Sequence, residues 1–162
     1  MIQLFVTGGT IDKQYDAIKG ELTFAATYIP SLLKEANCTL DIDVNVLMQK
    51  DSLQMTDFDR QQINQACSDC SANQIVITHG TDTMVDTALT LQNNINLTDK
   101  TIVITGAMRP YKLGDSDASF NIGSALQAVQ LASAGVWISM NGQLFSADHV
   151  IKNRTLGQFE AN

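Results

Sequence analysis

Thr10, Thr81, Asp82 and Lys152 are the residues of this chain whose types and settings could carry bond-breaking chemistry. Thr10 follows a glycine pair in Thr7-Gly8-Gly9-Thr10, and Thr81 sits in His79-Gly80-Thr81-Asp82. A threonine hydroxyl is a weak nucleophile until a neighbouring group takes its proton. Lys152 is a candidate for that group, Thr81 could direct a water, and Asp82 could hold a cation or an ammonium. Each has a plain structural alternative. A Gly-Gly turn after a strand is commonly only a turn, Thr and Asp are favoured at helix N-termini, and a lone lysine is commonly a solvated charge. The first motif has neither the G-x-G-x-x-G spacing nor the Gly-Lys-Ser/Thr ending, which argues against a dinucleotide or phosphate loop. Tyr15 lies in residues 12–20, a polar stretch that suits a mobile lid or a loop tip. His79 and His149 belong to no metal spacing, and a structural role fits them better than direct catalysis.

These residues need elements to position them. Residues 2–6, 42–47, 75–77, 102–104 and 136–140 are short and rich in β-branched side chains, which predicts strands. Between them, Ile29, Leu32, Leu33 and Ala36 have helical spacing, as do Ile122, Ala125, Leu126 and Val129. Met84, Val85, Ala88, Leu89 and Leu91 are expected on one helical side, and Thr56 with Asp59 resembles a capping box. Residues 143–145, after Asn141-Gly142, predict an edge hairpin. Strands alternating with helices imply a doubly wound, mostly parallel α/β sheet covered on both faces, Rossmann- or flavodoxin-like. In such folds ligands gather beyond the carboxyl ends of the strands. The first four strands run into Thr7 to Thr10, Gln49 to Ser52, Thr78 to Thr83 and Thr105 to Pro110, so one rim collects glycines, hydroxyls and charges.

The 162 residues fit a single domain with one sizeable core. A net charge of −7 repels phosphate backbones, so nucleic acid is not an expected partner. No stretch is long and apolar enough to span a membrane, and the N-terminus shows no signal-peptide pattern, so a cytoplasmic protein is expected. Cys67-Ser68-Asp69-Cys70 has C-x-x-C spacing, yet Ile63, Ala66, Cys67 and Cys70 also follow one helical face, and no second ligand pair exists. Burial in the core is the preferred reading.

The ordered motifs Thr7-Gly8-Gly9-Thr10-Ile11, His79-Gly80-Thr81-Asp82-Thr83-Met84 and Gly106-Ala107-Met108-Arg109-Pro110 resemble those of the bacterial-type L-asparaginase family, along essentially the whole chain. The resemblance implies that Thr10 is the primary nucleophile, supported by Thr81, Asp82 and Lys152, with Tyr15 as the lid tyrosine. It implies that Ser52, beside Asp51, holds the substrate α-carboxylate, that Asp82 meets the α-ammonium, and that Ala107 belongs to the substrate site. The implied reaction is hydrolysis of L-asparagine to L-aspartate and ammonia, with no metal or organic cofactor. Leu53 stands after Ser52 where some glutaminase-active members have glutamine, which favours asparagine. Relatives usually carry a second, C-terminal domain, so residues 1–162 are expected to be the N-terminal-type catalytic domain, as a short form or a fragment. A broader amidase or glutaminase is one alternative; a non-catalytic amino-acid-binding or sensing module is another. Without the second domain, self-association into a dimer or larger homo-oligomer is expected.

Overall fold

The computed structural model describes residues 1–162. In chain order the strands are β1 (Ile2–Gly8), β2 (Lys13–Asp16), β3 (Glu21–Phe24), β4 (Ile42–Lys50), β5 (Gln74–Thr78), β6 (Thr101–Thr105), β7 (Gly135–Met140), β8 (Gln143–Ser146), β9 (Ile151–Asn153) and β10 (Gln158–Glu160). The helices are α1 (Ile29–Glu35), α2 (Asp57–Asp69), α3 (Met84–Gln92) and α4 (Ala118–Leu131).

The central sheet has the order β4-β1-β5-β6-β7-β8. Its first five strands are parallel, and β8 folds back antiparallel on β7. The two-residue connection Asn141-Gly142 has φ of 55° and 75°, and two positive φ values define the hairpin turn whose twist matches the strands. Alternate side chains feed two cores. Phe5, Ile75, Ile77, Ile102, Ile104 and Ile138 meet α2 and α3, while Leu4, Val6, Val76 and Val103 meet α1 and α4. Each such buried side chain contributes roughly 1.5–3 kcal/mol, more than a cap or a surface ion pair. Burial on both faces therefore sets the sheet, and the polar contacts refine where its ends lie.

Helix α3 departs from the expected pattern. Met84, Thr87, Ala88 and Leu91 are buried, whereas Leu89 is 38% exposed. Thr87 takes the inward place because its hydroxyl meets the fully buried His79 ring. Cys67 lies in the core, and burial pushes its thiol up to about 12, so it is a small apolar residue and no nucleophile. At the end of α2, the buried Lys100 ammonium donates to the carbonyls of Cys70 (2.6 Å) and Ala72 (2.9 Å).

Two small hairpins stand outside the main sheet, β2–β3 and β9–β10. The first occupies most of residues 12–20, where the polar composition suggests a loop. Its side chains alternate as a strand requires, and Asp16 closes the turn by accepting from the amides of Ile18 and Lys19. Asp12 is buried at its root, where Oδ1 accepts from the Tyr28 amide (2.9 Å) and burial raises the carboxyl pKa.

The chain leaves β1 toward β4 on one side and later returns to β5 on the other. Such a reversal opens a crevice beyond the carboxyl ends of the two flanking strands, here β1 and β5.

The capping box at α2 anchors one wall of that crevice. Asp59 Oδ2 accepts from the Thr56 amide (2.8 Å), the Asp59 amide donates to Thr56 Oγ1 (3.3 Å), and Asp59 Oδ1 meets Lys50 Nζ at 2.6 Å. Lys50 and the Thr56 amide hold the Asp59 carboxyl down at about 2, against 3.8 for a free side chain. A depressed carboxyl stabilises the fold above its unfolded value and stops doing so as pH falls through its folded value. Thr56→Ala is therefore expected to cost about 1 kcal/mol at neutral pH. Asp59→Asn should lower the urea midpoint above about pH 4 and approach the parent protein as pH nears about 2. Urea unfolding at both pH values checks this; an equal deficit at both would contradict it.

Candidate active site

Three turns meet at the crevice with almost no space between their backbones. The Gly9 amide donates to the Lys50 carbonyl (2.9 Å), joining the turn after β1 to the end of β4. Gly9 has φ +82°, and a Cβ there would lie 2.4 Å from the Gly80 nitrogen. A Cβ on Gly80 would lie 2.6 Å from Ser52 Cβ. At Gly9 only glycine tolerates both the conformation and the approach, and at Gly80 the approach alone excludes a side chain. Thr10 then opens a 3-10 turn, Thr10–Asp12, and is half-buried.

Behind the rim, His79 is fully buried, and burial lowers its pKa to about 4, so the ring is neutral. Its Nδ1 lies 2.7 Å from the Gly80 carbonyl, which can only accept, so Nδ1 carries the proton. Nε2 is then the acceptor for the Thr87 hydroxyl at 2.8 Å. His79 is thus a strut under Gly80, in keeping with the structural role expected of it.

Thr81 and Asp82 do not cap a helix. Helix α3 begins at Met84 with Thr83 before it, and the Thr83 hydroxyl donates instead to the Ser52 carbonyl (2.8 Å). The side chains of Thr81 and Asp82 converge on Lys152, whose Nζ donates to Thr81 Oγ1 and to Asp82 Oδ1, each at 2.7 Å. Lys152 comes from β9, where it pairs with Phe159 of β10. Phe159 is buried in the main core, and its amide donates to Asn141 Oδ1 (2.8 Å), so the small hairpin is fastened to the big sheet. The Lys152 side chain is 10% exposed and that of Asp82 33%. One carboxylate oxygen of Asp82 is bound to Lys152, and the group still reaches solvent.

Ser52 joins the same cluster. It is buried, and its Oγ accepts from the Asp82 amide at 3.2 Å, which leaves its own proton free to donate elsewhere. Asp51 is engaged differently from a simple substrate contact: Oδ1 accepts from the Leu53 amide (3.0 Å) and Oδ2 meets Lys13 Nζ (2.5 Å). Lys13 and that amide hold its carboxyl below the usual range. Ala107 is fully buried, backbone included, with its methyl in the core. Tyr15 stands on β2, 57% exposed.

Direct bonds therefore bring together Thr81, Asp82, Lys152 and Ser52, and the packing of Gly9 on Gly80 sets the turn that carries Thr10 against the turn that carries Thr81. Sequence reasoning misses Lys13, and it misses Arg154, whose Nη2 donates to the Asp82 carbonyl (3.3 Å). Lys13 has no local signal, since polar neighbours hide its hairpin and its partner Asp51 lies 38 residues on. Arg154 has none, because it reaches Asp82 from 72 residues away.

A family model described as "Asparaginase, N-terminal" matches residues 1–160. The chain is 34% identical to a glutaminase-asparaginase of Acinetobacter glutaminasificans, across 93% of this chain and 49% of that protein. It is also 34% identical to L-asparaginase 2 of Escherichia coli, across 95% of this chain and 47% of that protein. Its fold matches the crystal structure of a probable cytoplasmic L-asparaginase from Campylobacter jejuni with a TM-score of 0.85 and 31% identity, covering 99% of this chain and 52% of the other. The chain thus spans about half the length of the asparaginases that it matches. With a match over nearly its whole length and the same sheet beneath it, this chain belongs to the asparaginase family.

Proposed function

We propose that this chain carries the catalytic half of an L-asparagine amidohydrolase, producing L-aspartate and ammonia. The observation that supports it most is the Lys152 ammonium bound at 2.7 Å to both Thr81 Oγ1 and Asp82 Oδ1. That arrangement puts a proton-handling group in contact with a hydroxyl at the crevice where Thr10 also stands.

A primary amide needs a nucleophile, a route for its proton and a proton for departing ammonia. Thr10 Oγ1 attacks the side-chain carboxamide carbon, and its proton passes through the Thr81 hydroxyl, which the Lys152 ammonium holds in place, to the carboxamide nitrogen. The C–N bond breaks as that proton reaches the nitrogen, which leaves as ammonia. Water then cleaves the ester on Thr10 and regenerates its hydroxyl, giving aspartate. Ser52 donates to the substrate α-carboxylate, and the solvent-reaching carboxylate of Asp82 receives the α-ammonium. Asp82 keeps Lys152 in place and so serves both substrate and proton path. Tyr15 closes over the substrate from β2. No part of this path requires a metal or an organic cofactor.

Leu53, 65% exposed beside Ser52, supports asparagine over glutamine because it offers no polar group to a longer amide chain. The name of the Acinetobacter relative supports a second reading, in which glutamine is also hydrolysed. The three cysteines are all unpaired, which suits the reducing cytoplasm. Phe120 and Leu131, 62% and 75% exposed and eleven residues apart on one face of α4, give a self-association surface to cover, which supports a homo-oligomer.

Thr10→Ala and Lys152→Met are each expected to lower kcat for ammonia release by at least about 100-fold, with circular dichroism unchanged. Near-parental turnover by a folded Thr10→Ala protein would remove the mechanism. Assays with asparagine and glutamine side by side decide the substrate, and saturable binding without ammonia release would favour the sensing module instead. Sedimentation at assay concentration should show a dimer or larger species; a fully active monomer would reject the oligomer alone.

A further inference from the structure

Lys13 lies three residues past Thr10, and neither the motifs nor the proposed chemistry uses it. Its ammonium sits 2.5 Å from Asp51 Oδ2 and 5.6 Å above the Phe24 ring, with the side chain 17% exposed. Asp51 in turn holds the Leu53 amide at the turn containing Ser52. A single ion pair therefore spans the crevice, from the strand that follows Thr10 to the turn that carries Ser52.

The register of the hairpin gives this pair a further consequence. Lys13 faces Phe24 and Tyr15 faces Leu22 across β2 and β3, so all four side chains share one face. Lys13 reaches Asp51, which makes that the face turned toward the Ser52 turn. The opposite face is held separately, where the Tyr28 hydroxyl donates to Gln14 Oε1 (2.5 Å). Tyr15 and Leu22, 57% and 42% exposed, then form an apolar pair directed over the crevice.

We infer that Lys13 is a positioning residue, whose pair with Asp51 sets Tyr15 and Leu22 as the apolar cover of the Thr10–Ser52 crevice. The kinetic part of this inference rests on the amidohydrolase reading, and the structural part does not. A partly exposed ion pair adds little to global stability, so its loss moves the hairpin without unfolding the domain. Misplacing a group that completes a site slows the reaction far more than it alters folding.

The test compares Lys13→Met, which keeps the stem over Phe24, Asp51→Asn, which keeps an acceptor for the Leu53 amide, the double variant, and Lys13→Arg. Hydrogen exchange across residues 13–24 should quicken in both single charge-removing variants, with the thermal midpoint little changed. The value of kcat/KM for asparagine should fall roughly 10- to 100-fold, Lys13→Arg should restore most of it, and the double variant should be no worse than the poorer single. Unchanged exchange in Lys13→Met, or losses that add in the double variant, would overturn the inference. If the parent protein releases no ammonia, the amidohydrolase reading fails and the exchange result alone decides the role of Lys13.

Discussion

Gly9, Gly80 and Ser52 meet so closely that a methyl group on Gly9 would come within 2.4 Å of the Gly80 nitrogen, and one on Gly80 within 2.6 Å of Ser52 Cβ. This backbone-to-backbone packing has no side-chain freedom in it, so the turns after β1, β4 and β5 cannot shift independently. Thr10, Ser52 and Thr81 inherit their relative positions from it. The buried His79 ring and the Lys50–Asp59 pair support the packing from behind and from the side. A core of rigid turns on strand ends is the setting in which an ångström of precision can be held.

The rest of the site is attached more loosely. Lys152 arrives on a hairpin of two three-residue strands, fastened by Phe159 in the core and by the Asn141 side chain. Tyr15 arrives on another hairpin, fastened by Lys13, Gln14 and Asp12. Neither hairpin belongs to the main sheet. The rigid centre and the two appended arms divide the site: the strand ends hold Thr10, Ser52 and Thr81, and the arms carry Lys152 and Tyr15.

Much of this is legible in the chain because burial leaves a periodic trace. The strands of the central sheet and their helices follow from β-branched runs and helical spacing, and the Asn141-Gly142 turn from the backbone angles those residues favour. Capping at Thr56 and Asp59 is readable because both partners lie within one turn. Leu89 escapes the pattern, since hydrophobicity alone cannot show that Thr87 is drawn inward by a histidine eight residues earlier. The β2–β3 hairpin is hidden by its polar composition: one face sends Lys13 to Asp51 and the other Gln14 to Tyr28, so no continuous apolar stripe marks it. Bonds across the fold, such as Lys13 to Asp51 or Arg154 to Asp82, join residues whose proximity no local spacing encodes.

The Thr81–Asp82–Lys152 cluster also has a temporal meaning. Thr10 comes first in chain order, Thr81 next and Lys152 last, with a separation of 71 residues between the last two. A nascent chain emerging from the ribosome N-terminus first can lay down β1, β4, β5 and β6 while the lysine is still in the exit tunnel. The hydroxyls would then be seated before their ammonium partner arrives. The Thr81–Lys152 contact thereby forms only once translation has passed β9, and until then the rim turns stand without their ammonium.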